Sequence, residues 1–104
     1  MEKKFFMLRL LPPRPSFSQD MTEAERAVML RHMDYWRDLT SRGIAILFGP
    51  VLDPVAPYGL GIVEVKNQGE AEELAAADPV MHSTVGCRYE MQPMRIGMIR
   101  ATHA

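Results

Sequence analysis

Two residues in this chain have the types and spacing to do chemistry together: His32, in RHMDYW, and Asp78, in ADP. An imidazole titrates near neutrality and can take or give a proton, and a neighbouring carboxylate can orient the ring and stabilise its protonated form. Each stands where an apolar residue is expected. On a helical wheel with Val28 at zero, Met29, Tyr35, Trp36 and Leu39 fill an arc from about −20° to 100°, and His32 lies inside it at about 40°. Arg26, Arg31, Asp34 and Arg37 take the other side, so His32 faces inward. Asp78 continues the stripe of Ala71, Leu74 and Ala75 at helical spacing. A carboxylate at the C-terminal end of a helix meets partial negative charge, so an inward one needs a donor or a cation. Counted from their helix starts, the two residues lie at roughly 14 and 15 Å of rise. With level starts, their side chains can meet.

The less eventful alternative stays open at this level. A lone inward histidine is more often a hydrogen-bonded core residue, and Asp78 alone could be a helix stop before Pro79. Two polar residues at the centres of two facing stripes are harder to dismiss together.

The elements that must position the pair follow from local pattern. KFFMLRLL, residues 4–11, is an apolar run ended by prolines and reads as a buried strand. PPRPSFSQDM is a proline-stiffened loop. Thr22 followed by Glu25 forms a capping box, so a helix begins near Glu23 and runs to about Arg42, where Gly43 supplies the stop. Ile44–Phe48 and Leu60–Val65 read as strands around a turn-rich connection. Asn67 with Glu70 caps a second helix through EAEELAAA, ended by Asp78-Pro79. Arg88–Ile99 alternates as a final strand, with Pro93 suggesting an edge position or a bulge. The order is β-α-β-β-α-β: an α+β, ferredoxin-like fold with a four-stranded antiparallel sheet and two helices on one face.

Both faces of that sheet are apolar. Phe6, Leu8 and Leu10 point one way while Phe5, Met7 and Leu11 point the other, and Ile44, Ile46 and Phe48 alternate with Ala45 and Leu47. Two helices cover one face only, and a half-solvated sheet would show polar alternation on the other. A second copy of the same chain is the economical cover, so a homodimer is expected.

Composition bounds the remaining possibilities. The 104 residues are enough for one domain, expected over 1–104, and 47% hydrophobic with 24% charged residues is ordinary for a globular protein. Twelve basic residues against thirteen acidic ones leave a net charge of −1 with no basic run, which argues against nucleic acid and anionic membranes as partners. Arg9 interrupts the apolar run of MEKKFFMLRLLPPRP and prolines replace a cleavage site, so it does not read as a signal peptide, and no stretch is long enough to span a bilayer. The single cysteine, Cys87, fits a reducing compartment, and a cytoplasmic location is expected.

Other candidate groups are weaker. Arg14, Ser16 and Ser18 on the first loop could reach a substrate carboxylate, for which arginine is suited, although a solvated loop is the more common case. Trp36 and Tyr35 could wall a pocket or be plain core, and Asp53 and Tyr58 are of the same kind. His82 follows Asp78 by four residues, but Pro79 breaks a shared helical face. No Cys/His spacing suits zinc, so neither metal nor cofactor is expected. Cys87 has no adjacent base and reads as an inert buried thiol, His103 as a tail residue without a role, and the nine methionines as core filling.

Taken together, these residues resemble the YciI-like (YCII-related) family. The resemblance is carried by His32 in RHMDYW, Gly43 eleven residues on, Gly49-Pro50, and Ala77-Asp78-Pro79, with DMTEAERAVMLRH and YGLGIVEV similar to the branch that has a proline-rich first loop. It covers about residues 4 to 96. It implies a dimeric α+β barrel related to muconolactone isomerase and an active site built on a His–Asp pair, matching His32 and Asp78. Related barrels isomerise, eliminate or oxygenate small cyclic or carbonyl compounds. Where many relatives of this branch carry an Asp-Gly turn before the third strand, this chain has Val55-Ala56-Pro57-Tyr58, so no role is carried over for that turn.

The expected function is therefore a small-molecule lyase or isomerase in which His32 moves a proton beside a carbonyl and Asp78 orients it, with Arg14, Ser16, Trp36 and Tyr58 as substrate contacts. Two readings stand beside it: a ligand-binding or regulatory module in which the pair only shapes a pocket, and a dimer without a ligand.

Overall fold

The structure, a computed structural model, describes residues 2–101. Its strands are β1 (Lys4–Leu11), β2 (Ala45–Val51), β3 (Tyr58–Val65) and β4 (Arg88–Met94). Its helices are a single turn, α1 (Phe17–Asp20), followed by α2 (Glu23–Ser41) and α3 (Gln68–Ala77), with a 3₁₀ turn at Pro79–His82. The sheet is antiparallel in the order β2-β3-β1-β4, and with α2 and α3 as its two main helices the chain is α+β, βαββαβ and ferredoxin-like.

Local chemistry explains the ends of α2. The Thr22 hydroxyl accepts the Glu25 N–H at 3.1 Å and the Glu25 carboxylate accepts the Thr22 N–H at 2.9 Å, completing the capping box. At the other end Gly43 adopts φ 76°, and the Gly43 and Ile44 N–H groups return to Thr40 and Leu39 carbonyls. That double return is a Schellman stop, which needs the left-handed residue that glycine supplies.

Several elements depart from the sequence expectation. The first loop contains α1, whose Phe17 is buried and anchors the turn against Leu10, Val80 and Cys87. β2 and β3 extend to Val51 and Tyr58, which pair with each other. β4 ends at Met94 rather than Ile99, because Met94 pairs with Phe5 near the start of β1 and no strand lies beyond to pair with. As expected for a strand that contains Pro93, β4 lies at the sheet edge.

The register of β2 also differs. A shift between Ala45 and Leu47 sets Ala45 opposite Val63 and Phe48 opposite Gly61, both on the helix-covered face, while Leu47 faces Ile62 on the other. Strict alternation had grouped Ile44, Ile46 and Phe48 together. The extra residue of a bulge reverses the phase of everything after it. Phe6, Leu8, Trp36, Leu39, Val63, Val65 and Ala71 form the main core between sheet and helices.

Candidate functional site

His32 sits on α2 and Asp78 directly after α3, and the fold brings them to 2.7 Å between His32 Nδ1 and Asp78 Oδ2. Asp78 is fully buried and His32 only 2% exposed. The carboxylate does not continue the helix. Pro79 pushes Asp78 into an extended conformation, φ −61° and ψ 129°, and there it serves as N-cap of the 3₁₀ turn. Its Oδ1 accepts the Val80 N–H at 3.0 Å. A position that is electrostatically poor at the end of α3 thus becomes favourable at the start of the next turn.

Asp78 Oδ2 carries three donors. Besides His32, the Tyr89 hydroxyl donates at 2.5 Å, and the Trp36 indole N–H lies at 3.1 Å. That N–H also reaches the Tyr89 oxygen at 2.9 Å. Burial alone would raise the Asp78 carboxyl. The hydrogen bonds from His32 and Tyr89, the charge of His32 and the Val80 N–H outweigh it and hold the carboxyl below its ordinary range. The same burial, with the charge of Asp78, pushes the Tyr89 hydroxyl up, so it stays a donor. An ionised Asp78 only accepts, so His32 Nδ1 carries the proton and, in the neutral ring, Nε2 carries the lone pair. Nε2 has no hydrogen-bond partner among the described residues and keeps access to a cavity that His32 lines.

That cavity has a volume of about 240 Å³ and lies between α2, the first loop and the β2–β3 end of the sheet. Phe17, Met29, Met33, Phe48 and Pro57 contribute to its apolar wall, and Ser18, Tyr58 and Cys87 also line it. Phe48 meets the His32 ring edge-on at 5.1 Å and stacks on Trp36 at 4.5 Å. Trp36 is therefore behind the wall, 1% exposed, and acts on Asp78 rather than lining the cavity. Gly61 makes room for it: a Cβ there would lie 2.6 Å from the indole.

The remaining residues singled out from sequence are dispersed. Tyr58 and Ser18 reach the cavity wall, whereas Arg14 and Ser16 do not. Arg14 holds both Glu25 oxygens, at 2.8 and 2.9 Å, and Asp20 at 2.9 Å, while Ser16 donates to Asp20 at 2.7 Å. The Arg14 guanidinium and the Thr22 N–H draw the Glu25 carboxyl down to about 2. These groups pin the first loop to the start of α2. Tyr35 donates to the Leu74 carbonyl at 2.6 Å, bridging α2 to α3. Asp53 accepts the Val55 and Ala56 N–H groups of its own turn. His82 pairs with the Ala76 carbonyl at 2.8 Å and lies outside the pair, and His103 falls outside the described residues. No group of three or more His, Cys, Asp or Glu among the described residues is arranged to hold a metal, and no helix among them is long and apolar enough to cross a membrane.

Tyr89 is the member of the cluster that spacing did not reveal. Its signal lay in the strand pairing: Tyr89 opposes Leu10 and so faces the helices, where a hydroxyl needs a partner.

Comparison with known proteins supports the fold independently. The uncharacterized protein TM1266 from Thermotoga maritima has a similar structure, with a TM-score of 0.51 at 11% identity over 90% of this chain and 100% of that one. No curated protein matches the chain. A model of the YCII-related domain matches residues 5–95, and with nearly the whole length so accounted for, the chain belongs to the YCII-related family.

Proposed function

We propose that this protein is a small-molecule enzyme of lyase or isomerase type in which His32 transfers a proton at a carbon next to a carbonyl. One observation carries the reading. A buried, ionised Asp78 holds His32 by Nδ1, leaving the Nε2 lone pair beside an apolar cavity. That is the arrangement a general base needs: fixed tautomer, fixed orientation and room for a substrate. Asp78 is a positioning residue, stabilising the imidazolium that forms when Nε2 takes the proton. Tyr89 and Trp36 hold the carboxylate so that it cannot turn away from the ring.

The test is deuterium exchange. A panel of small enolisable carbonyl compounds in D₂O, followed by proton NMR, should show loss of α-proton signal with wild-type protein. The His32→Gln variant should fold with an unchanged circular dichroism spectrum and lose at least about a hundredfold in rate, the usual worth of a general base. Equal rates in variant and wild type would refute the assignment of His32.

A further inference from the structure

The cavity beside His32 is unusual in what its wall omits. No Lys, Arg, Asp or Glu among the described residues lines it. The nearest candidates are committed elsewhere. Arg14 is held by Glu25 and Asp20, and Arg9 lies over the Tyr58 ring at 4.4 Å, within 3.5 Å of Glu90. The catalytic pair supplies no net positive charge either. With Asp78 ionised, the pair is neutral when His32 is protonated and carries −1 when it is not. A carboxylate entering this space would shed water without gaining a cation, a heavily unfavourable transfer. Arginine recognition of a substrate carboxylate, expected from the first loop, has no counterpart here.

What the wall does supply is apolar and adaptable. Met21, Met29 and Met33 bring thioethers that conform to irregular shapes and favour aromatic edges, and Phe17 and Phe48 bring rings. Ser18 and Tyr58 are the hydroxyl-bearing residues among those that line it. A cavity of ~150 Å³ accepts benzene, so 240 Å³ suits a molecule of about ten heavy atoms.

We infer that the site takes an uncharged, single-ring or comparably compact apolar molecule bearing one carbonyl or hydroxyl oxygen, and that it rejects carboxylates. This names the substrate class of the proposed proton-transfer site and rests on that reading of the cavity. The ring would lie among the methionines, with its acidic carbon toward His32 Nε2.

Acetophenone and benzoate, matched in heavy-atom number, provide the test at about pH 8, where benzoate is fully ionised. With methyl-¹³C methionine in the protein, titration with acetophenone should move the Met21, Met29 and Met33 methyl signals and leave Met98 unmoved. Benzoate should bind about tenfold more weakly or not at all. Benzoate binding as tightly as acetophenone would overturn the inference, and so would the absence of a shift with either. The readout is separate from turnover. Acetophenone binding without deuterium exchange of any carbonyl leaves the ligand class standing and removes the proton-transfer reading. Carbonyl exchange together with preferred benzoate binding does the reverse.

Discussion

Asp78 Oδ2 receives His32, Tyr89 and Trp36 while Oδ1 receives the Val80 N–H, so this carboxylate is saturated as well as buried. Removing it strands several buried donors, and Asp78→Ala should destabilise the protein by about 3–5 kcal/mol in urea titration. Its titration gives a second check. The carboxyl is held below its ordinary 3.8 in the folded chain. Its contribution to stability is therefore complete above that ordinary value and fades as pH falls through the lower, folded-state value. Urea midpoints of wild type should drop on acidification below about pH 4, and Asp78→Asn should lack that portion of the drop. Cys87, on the cavity wall, behaves in the opposite sense: burial, with the charges of Asp78 and Glu25, raises its thiol to about 11. Iodoacetamide should therefore alkylate it slowly near neutrality and about tenfold faster per pH unit up to that range, measured by mass spectrometry.

At the scale of elements, the site depends on where α2 can lie over β3. The Trp36 indole rests on Gly61, and Phe48 packs over Gly59 and Gly61, so the two glycines of YGLGIVEV set the depth at which the aromatic pair sits. Gly61→Ala would place a Cβ 2.6 Å from the ring carbons of a side chain tied to Asp78 and Tyr89. Overpacking of this kind costs about 1–3 kcal/mol. The expected result is a lower urea midpoint together with a changed emission maximum of Trp36, the chain's one tryptophan. An unchanged spectrum would mean that the indole keeps its place and that the glycine is not what seats it.

At the scale of the whole molecule, the sheet face opposite the helices carries the prediction about assembly. Phe5, Met7, Leu47, Leu60, Ile62 and Met94 share it by register, and Leu47 is 44% exposed. Arg9, on the same face, leaves its buried Nε without a partner among the described residues. An apolar sheet face of this kind is expected to be covered by a second copy of this chain. Sedimentation at micromolar concentration should report a homodimer, and Ile62→Arg should yield a folded monomer. A wild-type monomer would refute this.

Much of this protein is determined by its sequence read locally. Thr22 with Glu25, Gly43, Asn67 and Asp78-Pro79 mark the ends of both main helices, because caps and stops are made by residues within a turn of one another. The inward direction of His32 follows in the same way, from helical period. Interactions across long separations were beyond such a reading. The bulge at Ile46 depends on how β2 meets β3 and could not be seen from alternation. The end of β4 depends on where β1 runs out. Arg14 looked free for a ligand until α1 and α2 brought Asp20 and Glu25 to it. Tyr89 joined the pair only through the register that sets it opposite Leu10. Sequence alone determined that a histidine and an aspartate would face the core. Tertiary structure decided that they share a proton-bearing hydrogen bond beside a largely apolar cavity, because that depends on the relative placement of elements that no local pattern encodes.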